Sequence, residues 1–180
     1  MQDSLNEVLK AWQNFYMLAG GASASLLGLV FVAASLAARV VDADRATVGA
    51  RAFVTPIIIH FSAVMVVAML VMIPTQSSTS LGSYLLLGGI AGLAYAGTTG
   101  VQLWRHHRRR TRVNRADWLW RVCLPTLSYI LVLIAAVGLL AQATRLLNSL
   151  ALAVIILLLL GIRNVWDLLL WINRHRLPTG

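Results

Sequence analysis

Residues 105–121 read RHHRRRTRVNRADWLWR and hold seven of the fifteen basic residues of the 180-residue chain. Long apolar runs lie on both sides. In a water-soluble protein such a cluster points to nucleic acid. Between apolar runs it reads instead as the largest cytoplasmic loop of a membrane protein, because loops rich in arginine stay on the cytoplasmic side. Counting spans outward from it gives a threading for the whole chain.

Composition supports that reading. Hydrophobic residues make up 59% of the chain and charged residues only 12%. Mean hydropathy is +0.78. A soluble domain needs roughly 25% charged residues to cover its surface. A bilayer core takes about 20 helical residues per crossing, so four or five crossings use the chain up. Net charge is +9, but it sits in the links between apolar runs, as topogenic signals do. The single cysteine, Cys123, excludes an intramolecular disulfide.

In chain order, residues 1–14 place Leu5, Val8, Leu9 and Trp12 at helical spacing, an amphipathic lead-in with Trp12 and Tyr16 suited to an interface. Five spans are predicted over 15–38, 53–73, 81–104, 122–141 and 147–172. Pro56 and Pro125 fall in the first turns of the second and fourth, where no intrahelical donor is lost. Uncharged PTQSSTSLG forms the turn between the second and third. The fifth run is interrupted by Arg163, Asn164 and Asp167, and its apolar part before them, 150–162, is too short to cross alone. Crossing requires the helix to continue through the charged triplet.

Charge decides between four crossings and five. Five place Arg39, Arg45, Arg51, the seven of the long loop, Arg174 and Arg176 on one side, against Lys10 and Arg145 on the other. That bias of twelve to two predicts an all-α bundle with the amino terminus outside and the carboxyl terminus in the cytoplasm.

Two rows of small residues suggest close helix approach. Gly20, Ala24 and Gly28 repeat at four in the first span, and Gly88, Gly92, Ala96 and Gly100 in the third. Small residues let backbones meet where lipid removes the hydrophobic drive for association. The third-span row is expected to lie against another helix, with the first-span row as the partner.

The chain also resembles a family. Trp12 and Phe15, ASASLLGLVFVAAS over 22–35, Arg51-Ala52, Pro74-Thr75-Gln76, Leu81-Gly82 with Leu85-Leu86, and Asn164-Val165-Trp166 with Leu168-Leu169 are similar to small bacterial five-span integral-membrane proteins of unknown function. Some of these carry the name modulator of FtsH protease. The resemblance implies a five-helix fold in the bacterial inner membrane and supplies no catalytic residue.

Candidate chemistry is sparse. No HExxH, Gly-x-Ser-x-Gly or glycine-rich phosphate loop occurs, and nothing points to a metal, a cofactor or an enzyme. His60 is the one ionisable side chain deep in the second span; it reads as a functional group or as a neutral imidazole bonded to a serine or carbonyl of a neighbouring helix. Met65, Met69 and Met72 form a stripe that core filling or lipid contact explains. Arg163 and Asp167, four apart, predict an ion pair that Asn164 extends toward a neighbour. Arg105, Arg108, Arg109, Arg110 and Arg112 suit anionic headgroups, about 1 kcal/mol each, or a cytoplasmic partner. Nucleic acid is excluded, since no folded domain would present the contacts.

The predicted function is therefore a non-enzymatic structural or regulatory membrane protein acting through helix contacts, with itself or another membrane protein. The alternative is a small oligomeric channel or transporter. Its polar faces, from Ser23, Ser25, His60, Thr98, Thr99 and Gln102, would meet between subunits.

Overall fold

The computed structural model describes residues 2–37, 54–74, 76–107 and 118–174. Five helices among them are long and apolar enough to cross a membrane. They are α1 (Gln2–Ala37), α2 (Thr55–Met72), α3 (Ser78–His107), α4 (Leu124–Leu140) and α5 (Leu147–Arg174). α4 is entered through a π-helical turn, Leu119–Cys123, and α5 through a 3-10 turn, Thr144–Leu146. The charged triplet does not break α5, which runs unbroken through Arg163 and Asp167.

Local sequence explains the helix ends. Ser77 Oγ accepts the backbone N–H of Ser80 at 3.0 Å, so Ser77 caps the first turn of α3. α4 ends with Gln142 at φ 61. The Ala143 N–H bonds the Gly138 carbonyl at 2.7 Å and the Gln142 N–H bonds the Leu139 carbonyl at 3.1 Å, a left-handed helix cap usually made by glycine. The π turn has a cause in Pro125, whose ring would crowd the Arg121 carbonyl in a regular helix. The turn widens, and the Leu124 N–H bonds back to the Leu119 carbonyl.

Neighbouring helices in the bundle follow the order α1, α2, α5, α4, α3, with broad contact at each step. α2 and α3 are consecutive in sequence yet touch little. The centre is built from α2, α4 and α5, buried over 39–44% of their most apolar stretches. α1 and α3 are peripheral, at 17% and 22%. One core cluster joins Leu5, Tyr16 and Ala19 to Val64, Ala68, Leu85, Tyr129, Leu150 and Leu157. A second, where α1 ends and α2 begins, joins Val30, Ile57, Phe61, Leu168 and Ile172. The lead-in is part of α1 itself. Its Leu5 is fully buried, and Tyr16, expected at an interface, is 1% exposed in the core beside Phe15 and Trp12.

The alternation of five helices places the end of α1, the start of α2, the end of α3, the start of α4 and the end of α5 on one side. The links leaving that side carry the arginine-rich stretches, so it is called the basic end. Arg39, Arg45, Arg51 and Arg176, with the span limits at 38 and 53, lie outside the described residues.

The small rows pack differently from expectation. α3 lies against α4, not α1. Its seam follows Gly82, Leu85, Gly89, Gly92 and Ala96, all buried, at alternating spacings of three and four. A straight spacing of four drifts by about 40° per step around a helix of 3.6 residues per turn, whereas alternating three and four stays on one line. Gly88 therefore turns off the seam, and a methyl added there would meet nothing within 4 Å. The same drift splits the first row. A methyl on Gly20 would lie 2.8 Å from the Ala68 Cβ of α2, whereas Gly28 meets nothing and Ala24 is exposed.

Candidate functional site

At the basic end a cavity of about 60 Å³ lies between α2, α3, the start of α4 and α5. Pro56 and His60 line it from α2, Tyr95, Ala96 and Thr99 from α3, Trp120, Arg121 and Pro125 from the π turn and α4, and Asn164 from α5. That volume has room for a few waters or a small polar group.

His60 is the central group. It is 3% exposed, and its Nδ1 has no hydrogen-bond partner among the described residues. A buried polar atom left unpaired costs about 1–3 kcal/mol, so it calls for an explanation. A serine or a carbonyl of a neighbouring helix was the expected partner. Ser23 of α1 instead donates to the Phe61 carbonyl at 2.6 Å, which ties α1 to α2 and leaves the imidazole aside. The Tyr95 ring stands edge-on to His60, with centroids 6.5 Å apart. Thr99 turns its hydroxyl back to the Tyr95 carbonyl at 3.1 Å.

The triplet of Arg163, Asn164 and Asp167 reaches the same cavity through Asn164 alone. Arg163 Nε lies 3.6 Å from Asp167 Oδ1, with the two side chains 48% and 28% exposed. The Arg163 guanidinium also sits over the Trp120 ring, 5.6 Å from its centroid, and so joins α5 to the π turn of α4. Asn164, between them in sequence, faces the cavity.

The other candidates separate. Gly92 lies beneath the Tyr129 ring, Ala96 is buried at the cavity wall, and a methyl on Gly100 would lie 3.4 Å from Val122. Ser25, Thr98 and Gln102 are exposed, the first on α1 and the others on α3, so these polar groups do not gather along one path. Met69 and Met72 are 59% and 38% exposed on the outer surface. Arg105 lies in the last turn of α3, and Arg108, Arg109, Arg110 and Arg112 lie outside the described residues. Among the described residues no three His, Cys, Asp or Glu side chains come together.

Sequence reasoning missed Tyr95, Trp120 and Arg121 as neighbours of His60. One signal was available. Pro56 and Pro125 both open spans that start on the same side, and both line the cavity. Comparison of the chain with family models, with curated proteins and with solved structures gives no match in any of the three.

Proposed function

We propose that this chain is a non-enzymatic multi-pass protein of the bacterial inner membrane, amino terminus outside, that works through helix contacts with a second copy of itself. One observation carries the reading. The face of α1 turned away from α2 holds Gly21, Ala24, Ser25 and Gly28, all exposed, among the bulky Leu18, Leu29 and Val32. A methyl added at Gly21 or Gly28 would meet nothing within 4 Å. Lipid contact alone does not ask for small residues there, whereas a second helix does. The hydroxyl of Ser25, which no described residue accepts, would hydrogen-bond across such a contact. The arginines of the 105–112 stretch would rest on anionic headgroups on the cytoplasmic side.

Two features favour this over the alternatives. The exposed Ser25 of α1 and the exposed Thr98 and Gln102 of α3 lie on helices at opposite ends of the packing order, which weakens the reading of one polar channel wall. Among the described residues no serine hydroxyl bonds to Nδ1 of His60, which weakens a hydrolytic one.

The test is crosslinking in native membranes. With Cys123→Ser as background, Ser25→Cys should give a disulfide-linked dimer under mild oxidation, and Leu87→Cys on the exposed face of α3 should not. Gly28→Leu should abolish the dimer in mild detergent without lowering the melting temperature. A chain that is monomeric at every detergent concentration refutes the proposal.

A further inference from the structure

The cavity around His60 is graded in depth. His60, Ala96 and Pro125 are buried and form its floor, whereas Thr99, Trp120 and Asn164 are half-buried at its rim. Trp120 reaches the rim from the π turn, an irregularity that often marks functional sites. At about 60 Å³ the cavity takes about four to six water-sized groups. Ethylene glycol and glycerol are of that size.

The polar groups on its wall select the kind of molecule that fits. A neutral imidazole nitrogen either donates or accepts, and His60 Nδ1, buried, does neither among the described residues. Asn164 brings an amide, with both an N–H donor and an acceptor oxygen. Thr99 gives its proton to the Tyr95 carbonyl, so its oxygen keeps lone pairs to offer. An anion asks for donors and an ammonium for acceptors. This wall mixes the two, which suits a hydroxyl, since a hydroxyl donates once and accepts twice. Among the described residues no carboxylate lines the cavity. Arg121 lines it but already has an interaction of its own, and Arg163 is engaged by Asp167 and the Trp120 ring. No free cation is therefore assigned to the site.

We propose that this cavity binds a small polyol. Its neighbouring hydroxyls bond to His60 Nδ1, to the Asn164 amide and to the Thr99 oxygen. Free glycerol and the glycerol head of phosphatidylglycerol share this chemistry. The site stands independently of self-association through α1.

The test uses the full chain in nanodiscs of phosphatidylcholine, with ¹⁵N-labelled histidine and the His60 signal assigned through His60→Gln. Glycerol, sucrose, acetate and methylammonium are titrated in turn. Glycerol should move the His60 resonance saturably. Sucrose, too large for the cavity, should not, and acetate and methylammonium should bind about tenfold more weakly or worse. Thr99→Val and Asn164→Leu each remove hydrogen-bonding capacity at nearly constant volume. Each should weaken glycerol about three- to tenfold while keeping the melting temperature. Adding phosphatidylglycerol to the discs identifies the source. If the lipid head is the natural occupant, it moves the resonance and competes with glycerol where phosphatidylserine does not; if the free polyol is, both lipids leave glycerol binding unchanged. The proposal is overturned if neither glycerol nor phosphatidylglycerol moves the resonance saturably, if sucrose, acetate or methylammonium moves it as readily as glycerol, or if both variants leave the affinity unchanged.

Discussion

The ring of Tyr129 rests on the bare backbone of Gly92, and this contact sets how closely α3 approaches α4. A methyl at Gly92 would overlap the ring itself, whose carbons cannot withdraw because Tyr129 is buried. Gly92→Ala should therefore destabilise the bundle by about 1–3 kcal/mol and Gly92→Leu by more. Four residues earlier the sign reverses. Gly88→Ala meets nothing and gains helix propensity of about 1 kcal/mol at most. Thermal unfolding of both variants in one detergent checks the contrast. Equal effects would mean that the seam does not run through Gly92.

The cap of α4 offers a second opposed pair. Gln142 holds φ 61, a left-handed conformation that costs a residue with a Cβ roughly 1–2 kcal/mol. Gln142→Gly should stabilise the protein by up to about 1 kcal/mol. Gly138→Ala should do the opposite, because its methyl would fall 2.6 Å from the Leu146 Cβ, an atom fixed to the backbone of the 3-10 turn. Melting temperatures moving the same way would contradict this cap geometry.

How much of this was legible in the sequence differs by level. The five helices long and apolar enough to cross a membrane were, because a bilayer sets the length of an apolar run and each run declares it. The passage of α5 through Arg163 and Asp167 was legible for the same reason, since 150–162 cannot span alone. Which helix meets which was not. Lipid is as apolar as a core, so the buried Val67 and the exposed Met69 look alike in sequence. Gly92 announces a close approach but not that the partner is a tyrosine of α4 instead of a glycine of α1. His60 stood out as an intramembrane histidine. Its cavity did not, because the lining side chains come from four helices and no spacing along one of them records the meeting.

The Arg163–Asp167 pair should be weakly coupled. Both side chains are partly exposed and only Nε approaches, at 3.6 Å. A double-mutant cycle of Arg163→Gln and Asp167→Asn should give a coupling of about 1 kcal/mol or less. Arg163→Gln alone should cost more than Asp167→Asn alone, because it also removes the cation from the Trp120 ring, worth about 0.5–1 kcal/mol. Equal single losses would remove Trp120 from the account.

The threading itself is open to the most direct measurement. In a Cys123→Ser background, single cysteines at Ser77, Ala143, Thr111 and Thr179 are probed with a membrane-impermeant thiol reagent on intact cells. Five crossings with the amino terminus outside predict labelling of Ser77→Cys and Ala143→Cys from outside. Thr111→Cys and Thr179→Cys should react only after permeabilisation. External labelling at Thr179→Cys, or labelling of Ser77→Cys and Thr111→Cys from the same side, would contradict the five-span account.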